Sequence, residues 1–369
     1  MPPITNTAAT RSPANPVSDD HKDPAAFSCP LPLPVRDRIL LGHGSGGKLS
    51  ADLLKDVFLP ALGNPVLNRL EDQAIVSLEG IPLAITTDSF VVKPLFFRGG
   101  DIGSLAVHGT INDLAMGGAQ PLWLSAAFIL EEGLPIETLR RVVASMHQAA
   151  DAAGVPIVTG DTKVVEKGSA DGLFINTTGI GRVRSDVALS ASQARPGDAI
   201  LVSGYLGDHG IAILADREGL QFDTLLQSDS AALHTIVSQL LTSTRDVRCL
   251  RDPTRGGLSS TLNEIAASSM VGMELDETAI PVREEVRGAC EMLGLDPMYV
   301  ANEGKLVAVV DAAAAPAALR ALQSHPLGKD AAIIGRVTAD HPRLVVMRTA
   351  LGTTRIVDML AGDQLPRIC

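Results

Sequence analysis

Aromatic residues are scarce in this sequence. Phe, Trp and Tyr together make up 3% of it, with a single tryptophan. Its cores must therefore be built from Ala, Val, Leu and Ile, which a hydrophobic content of 46% permits. Cysteine is scarce as well. Cys29, Cys249, Cys290 and Cys369 are scattered, with no Cys-x-x-Cys pair, which argues against a zinc site or a dithiol redox motif. Free thiols in a long chain fit a reducing cytoplasm. Positive charge is in short supply. The 31 Lys and Arg stand against 42 Asp and Glu, for a net charge of −11. Such a surface repels phosphate backbones and argues against general nucleic-acid binding. It leaves room for a nucleotide held by metal ions and backbone amides. No apolar run approaches the ~20 residues of a membrane span. The first residues lack a basic start and apolar core, so no secretory signal is expected.

The 369 residues are enough for two or three domains. Residues 1–35 are rich in Pro, Ala, Ser, Thr and Asp without apolar periodicity, and read as a disordered extension. A first α/β domain is expected over 36–187 and a second over 188–345, with a C-terminal segment and flexible tail over 346–369. In the first domain Asp101 suits the N-cap of a helix running to about Met116. Ile136 to Ala153 has the periodicity of an amphipathic helix, with Ile136, Leu139, Val142, Val143 and Met146 on one face and Gly154 ending it. Strands are expected at Ala74 to Leu78, Ile81 to Thr87, Pro121 to Leu130, Val155 to Thr159 and Leu173 to Val183. The second domain alternates helices and strands without a repeat period.

Four glycines crowd Gly42-His43-Gly44-Ser45-Gly46-Gly47-Lys48. Glycine lets backbone amides approach a phosphate with no Cβ in the way. The loop matches Gly-x-Gly-x-x-Gly only formally, without a long βαβ context. It also fits the start of a P-loop, yet Leu49 stands where Ser or Thr should hold Mg²⁺. It reads either as a flexible loop or as a phosphate loop of another kind, with Lys48 as counter-charge; the second is preferred. Asp72, Asp88, Asp113 and Asp161 fall at strand ends, a helix end or a glycine-containing turn. One such aspartate is most often a cap or turn residue. Four beside a glycine loop suit the hard oxygen ligands of a Mg²⁺-nucleotide site. The last residue, Cys369, reads either as incidental or as cargo on an arm.

Several further segments complete the pattern: Thr87-Asp88-Ser89-Phe90, Gly99-Gly100-Asp101-Ile102-Gly103, Asn112-Asp113-Leu114-Ala115, Thr159-Gly160-Asp161-Thr162-Lys163, Asp252-Pro253-Thr254-Arg255-Gly256-Gly257, Ala301-Asn302-Glu303-Gly304 and Pro366-Arg367-Ile368-Cys369. With the glycine loop, and in this order, they resemble the HypE family of hydrogenase maturation factors. That family belongs to the ATP-binding superfamily of aminoimidazole ribonucleotide synthetase and selenophosphate synthetase. The resemblance covers about Asp37 to Cys369. It implies a two-domain α/β (α+β) fold whose N-terminal domains form a β-barrel across a homodimer. It implies that a carbamoyltransferase, HypF, loads a carbamoyl group on the terminal cysteine. ATP-dependent dehydration then gives an S-cyano (thiocyanate) group, which passes to iron on the HypC–HypD complex.

Dehydrating a carboxamide requires its oxygen to become a leaving group, a base for the N–H protons and a positive group near the oxygen. With the resemblance, Gly44, Gly46, Gly47, Lys48, Asp72, Asp88, Asp113 and Asp161 are expected around ATP, the four aspartates also holding Mg²⁺. Lys163 and Glu303 are expected to flank the modified sulfur of Cys369. Without it, Lys163 reads as a loop lysine and Glu303 as a turn residue. Asp252 and Arg255 read equally well as structural. The terminal carboxylate disfavours a Cys369 thiolate, and Arg367 is expected to offset part of this. Two rivals remain: another enzyme of the superfamily acting on a free small molecule, with Cys29 ahead of the loop, and a nucleotide-binding scaffold that carries a thiol without turnover.

Overall fold

The structure is a computed structural model and describes residues 38–219, 226–362, 365 and 367–369. The extension expected at 1–35, Cys29 with it, lies outside the described residues, as do Gln364 and Pro366 of the tail. A turn at Leu41–Gly44 leads into an irregular helix: α1 (Lys48–Leu53), one π-helical turn (Leu54–Phe58) and α2 (Leu59–Leu62). Next come β1 (Ala74–Leu78), β2 (Ile81–Phe90) and the small ribbon of β3 (Phe96–Phe97) and β4 (Gly100–Asp101). Then follow α3 (Ile102–Met116), β5 (Ala119–Glu131), α4 (Ile136–Ala153), β6 (Ile157–Val165) and β7 (Leu173–Val183).

The sheet order is β1-β2-β7-β5-β6. Here one expectation is corrected, because among the described residues no sheet closes into a barrel. β1 pairs only with β2, and β6 only with β5, so the sheet is open with two edges. Closure would need those edge strands to meet in a continuous ladder.

Asp101 caps α3 as expected, its Oδ1 accepting from the amides of Gly103 at 2.7 Å and Ser104 at 3.1 Å. Those amides would otherwise be orphans of the first turn. α3 lies against the sheet and α4 and is buried nearly all round, so it shows little amphipathic period. α4 does, burying Val142, Met146, Ala149 and Ala150, although Ile136 and Val143 face outward. Gly154 ends it at φ +68°, a left-handed position suited to glycine.

The second half contributes β8 (Ala199–Val202), α5 (Asp208–Glu218), α6 (His234–Ser243), β9 (Val247–Arg251), α7 (Gly257–Ser269), β10 (Gly272–Asp276) and α8 (Glu284–Leu293). It continues with β11 (Val307–Val310), α9 (Ala315–Gln323), β12 (Ala332–Thr338), β13 (Val345–Arg348) and β14 (Thr354–Ile356). These strands form a second sheet, β14-β13-β10-β12-β8-β11-β9, with helices over its faces. β9 and α9 have no counterpart in the sequence reading. Two arginines interrupt the apolar character of β9, and the alanine run before α9 carries no period.

Cores are shared between the halves. Ala115 and Met116 of α3 join the cluster under α6 and α9, while Ile213, Ala301 and the tail residue Ile368 join the core of the first half. No helix among the described residues is long and apolar enough to cross a membrane. Asp101→Ala is expected to lower unfolding free energy by ~0.5–2 kcal/mol, with Asp101→Asn retaining most of it. Denaturant melts of the two variants check this.

Candidate active site

The end of the chain runs back into the molecule. The Val91 amide donates to the terminal carboxylate of Cys369 at 3.0 Å, and the Lys93 amide to the Arg367 carbonyl at 3.2 Å. The tail thus lies along the stretch after β2 as an added strand would. Arg217 donates to the Arg367 carbonyl at 2.7 Å. The Arg367 guanidinium donates to the Val91 carbonyl at 3.1 Å and pairs with Asp171. His209, fully buried, places Nε2 at 2.8 Å from the Ile368 carbonyl and Nδ1 at 2.8 Å from Ser228 Oγ. The carbonyl can only accept, so Nε2 carries the proton. Burial lowers the His209 pKa and keeps the ring neutral. Ile368 is 4% exposed. Burying such a side chain contributes ~1.5–3 kcal/mol toward docking the tail.

Docked in this way, Cys369 reaches a cavity of about 220 Å³. Asp72 enters it from just before β1, Asp88 from β2, Asp113 from α3, Asp252 from just after β9, and Glu303 from the loop before β11. The walls are held by buried polar staples. Asn112 donates to the carbonyls of Ala231 at 3.0 Å and Glu303 at 3.1 Å, and accepts from the Leu233 amide at 2.8 Å. Asn302 accepts from the Gly207 amide at 2.7 Å and donates to the Pro253 carbonyl at 2.9 Å. The Glu303 amide donates to Asp229 Oδ1 at 3.0 Å. Thr86 Oγ1 lies 2.8 Å from Asp113 Oδ2 and 2.9 Å from the Asp72 carbonyl.

Crowded carboxylates resist ionisation. Burial raises the Asp113 carboxyl well above its ordinary range, and Asp252, Asp88 and Asp72 push it further. Burial and the charges of Asp252, Asp88 and Asp229 do the same to Glu303, whose Oε1 has no hydrogen-bond partner. Asp252 is raised to about 8 by burial and Asp72. Asp72 and Asp88 are also raised, chiefly by burial, although Arg251 pairs with the first and Arg255 opposes the shift at the second. Burial pushes the Cys369 thiol above its usual range; Arg255 opposes this, while Glu303, Asp88 and Asp252 add to it. The cation that eases a thiolate is therefore Arg255. The sequence reading gave that part to Arg367, whose charge is instead committed to Asp171.

A larger cavity, about 690 Å³, opens beside the glycine loop and is lined by Gly46, Gly47, Lys55, Asp72, Arg255 and Glu264. Its volume suits a small molecule, whose sites span ~300–1,000 Å³. Gly46 and Gly47 are demanded by packing as much as by a ligand. A Cβ on Gly46, at φ +72°, would meet the Arg255 carbonyl at 2.7 Å, and one on Gly47 would run into the Leu360 carbonyl. Gly44 has open space instead and lines the tail cavity. Lys48 holds Asp358 at 2.6 Å. Among the described residues no three His, Cys, Asp or Glu side chains converge to cage a metal ion. Mg²⁺ fits such an arrangement, since it takes one or two carboxylates and completes its shell with phosphate and water. The raised carboxyls mark where added positive charge would be welcome.

Asp161 and Lys163 stand apart. They lie on the exposed edge strand β6 and hold each other at 2.7 Å, and neither lines the cavities around Cys369. Conversely, Asp252 and Arg255 belong to the acid cavity, and His209 to the tail's seat. Asp252-Pro253-Thr254-Arg255-Gly256-Gly257 was visible as a motif, but a helix start explained it equally well.

The native state binds more protons than the unfolded chain between the ordinary carboxylate range, ~4, and the Asp252 value of about 8. Stability should therefore fall as pH rises through that window. Chemical melts across it check the slope, and Mg²⁺ with ATP should flatten it.

The chain matches the family models "AIR synthase related protein, N-terminal domain" over residues 70–183 and "AIR synthase related protein, C-terminal domain" over 195–347. It is 58% identical over 340 residues to the carbamoyl dehydratase HypE of Cupriavidus necator, covering 92% of this chain and 97% of that one. Among solved structures it is similar to HypE in a HypE–HypF complex, with 51% identity, TM-score 0.80 and coverage of 84% of this chain and 99% of that one. It is also similar to HypE in complex with ATP, with 54% identity, TM-score 0.76 and coverage of 90% and 100%. The open cavity by the glycine loop, the crowded carboxylates and the docked terminal cysteine are thus found in a chain that belongs to the HypE family of carbamoyl dehydratases.

Proposed function

We propose that this chain is an ATP-dependent carbamoyl dehydratase whose substrate is carried on its own last residue. The activity comes with the family: dehydration of a carbamoyl group to the cyanide ligand used in hydrogenase maturation. The observation that supports Cys369 as the carrier is its seat, with the tail's backbone pinned by Val91, Lys93 and His209 and its sulfur facing Glu303 and Asp88.

When bound, ATP supplies the phosphoryl group that turns the carbamoyl oxygen into a leaving group. The chain supplies the rest. Gly44, Gly46 and Gly47 allow close approach of backbone to the nucleotide, and one or two of Asp72, Asp88 and Asp113 would hold Mg²⁺. Lys48 must leave Asp358 to reach a phosphate. Glu303 takes the N–H proton. Its raised pKa makes it a stronger base than an ordinary carboxylate.

The same seat makes a poor place to load the sulfur, because a thiol pushed above its usual range is rarely a thiolate. Loading by the carbamoyltransferase HypF therefore occurs with the tail released. About ten extended residues span ~33–36 Å, enough to visit HypF and then the HypC–HypD iron scaffold. Cys249 and Cys290 are free and buried, in keeping with bystander roles in a reducing cytoplasm. The domain boundary belongs at 187–188, between β7 and β8.

Lys163 and Asp161 fit this reading through a homodimer. The outer face of the first sheet exposes Leu78, Ile85, Trp123 and Ile129, an apolar surface suited to a second copy. Pairing there would bring Lys163 and Asp161 of β6 toward the partner's cavity.

With HypF, carbamoyl phosphate and ATP, intact-mass measurement should show Cys369 gain one carbamoyl group and then lose one water. Cys369→Ala should abolish both, and normal modification of that variant elsewhere would sink the carrier reading. Glu303→Gln should be carbamoylated normally and dehydrate ~10²–10⁴-fold more slowly. For the dimer, Lys163→Ala and Cys369→Ala should each fail to dehydrate alone, while co-refolding the two should restore dehydration. No recovery in the mixture would remove Lys163 from a shared site.

A further inference from the structure

The reaction requires a cation where the carbamoyl oxygen becomes a phosphate, and among the described residues no lysine lines the acid cavity that holds Cys369. One arginine does. Arg255 borders the acid cavity, the tail cavity and the large cavity beside the glycine loop. It therefore stands where a phosphoryl donor in the large cavity and an acceptor on Cys369 would meet.

Its donors are uncommitted. The one side-chain hydrogen bond Arg255 makes among the described residues is a long one, 3.4 Å from Nη1 to the Gly44 carbonyl. No carboxylate among them pairs with it, although it faces Asp88, Asp113 and Glu303. Arg251, four residues earlier, is the contrast. It is buried, pairs with Asp72 and donates to the Leu70 carbonyl at 2.7 Å. A buried arginine whose terminal nitrogens are held by a carboxylate and a carbonyl braces a wall; an exposed arginine with free donors over a cavity is arranged for a ligand. The backbone around Arg255 is held for that purpose. Its carbonyl packs against Gly46, and Gly256 and Gly257 follow in left-handed conformations at φ +75° and +61°. The side chain is thus projected from a fixed turn at the start of α7.

We propose that Arg255 is a catalytic residue that binds the carbamoyl oxygen on Cys369 and stays with that oxygen as it becomes phosphate. This rests on Cys369 being the carrier. In the first step the carbamoyl oxygen forms a bond to the terminal phosphorus of ATP, the bond from that phosphorus to ADP breaks, and one N–H proton passes to Glu303. In the second the C–O bond breaks, phosphate departs with the oxygen and takes up the remaining N–H proton, giving S–C≡N. Negative charge grows on the same oxygen in both steps, and the fork of Arg255 can hold it throughout without giving up a proton.

The test is single-turnover kinetics on full-length protein already carbamoylated by HypF, followed by intact mass and by ADP release. Arg255→Gln should load at the wild-type rate and dehydrate ~10²–10³-fold more slowly. Arg255→Lys should fall between, because a point charge replaces the fork. Millimolar guanidinium should restore part of the rate to Arg255→Ala and leave wild type unchanged, which a merely structural loss would not allow. Dehydration by Arg255→Gln within about threefold of wild type overturns the assignment. So does an equal slowing of loading and dehydration, or a failure of guanidinium to rescue. A wild-type chain that carries its carbamoyl group elsewhere than Cys369 overturns the carrier reading first, and this one with it.

Discussion

Five carboxyl groups, those of Asp72, Asp88, Asp113, Asp252 and Glu303, face one cavity with a single arginine among its lining residues. In a place partly closed to water such groups cannot all be charged. Some keep protons, as the raised values of Asp113 and Asp252 indicate. The cavity is consequently poised for two kinds of visitor. One is a divalent cation with phosphates, which would relieve the aspartates. The other is a group that can surrender protons to a carboxylate made basic by its surroundings. A dehydration coupled to ATP needs both.

The tail is the second half of this arrangement. Its contacts to Val91, Lys93, Arg217 and His209 involve its own backbone, so they fix how far Cys369 reaches without depending on what the sulfur carries. Ile368 adds an apolar anchor and Arg367 an ionic one to Asp171. These are individually modest interactions, which suits an arm that must let go. Under the proposed carrier reading, the environment that makes the docked thiol unreactive would keep loading and conversion apart.

Much of this was legible locally. The cap at Asp101, the period of α4 and its stop at Gly154 follow from hydrogen-bond geometry and helical spacing, which operate within a few residues. Asp72, Asp88 and Asp113 could be named because each was expected at an element end or turn in a domain with a glycine loop. β9 and α9 were not legible, since arginines within a buried strand and a run of alanines give no period. The glycines at 46 and 47 were read for phosphate alone, yet the close approach of the Arg255 and Leu360 carbonyls is an independent reason for them.

By itself the sequence determined the family, through ordered motifs ending in Cys369, and with it the expectation of a nucleotide, a base and a carrier thiol. Tertiary structure alone decided which residues share a cavity. Asp252, Arg255 and Glu303 come from the second half and Asp72, Asp88 and Asp113 from the first, so their meeting depends on packing across long sequence separations. It also left the first sheet open, because closure is a property of edge strands that no single strand's pattern encodes. It set Asp161 and Lys163 on an outer edge, away from the residues with which their motif had grouped them. Charge obeys the same division: a carboxylate's identity is written in the chain, but whether it holds a proton depends on neighbours brought to it by the fold.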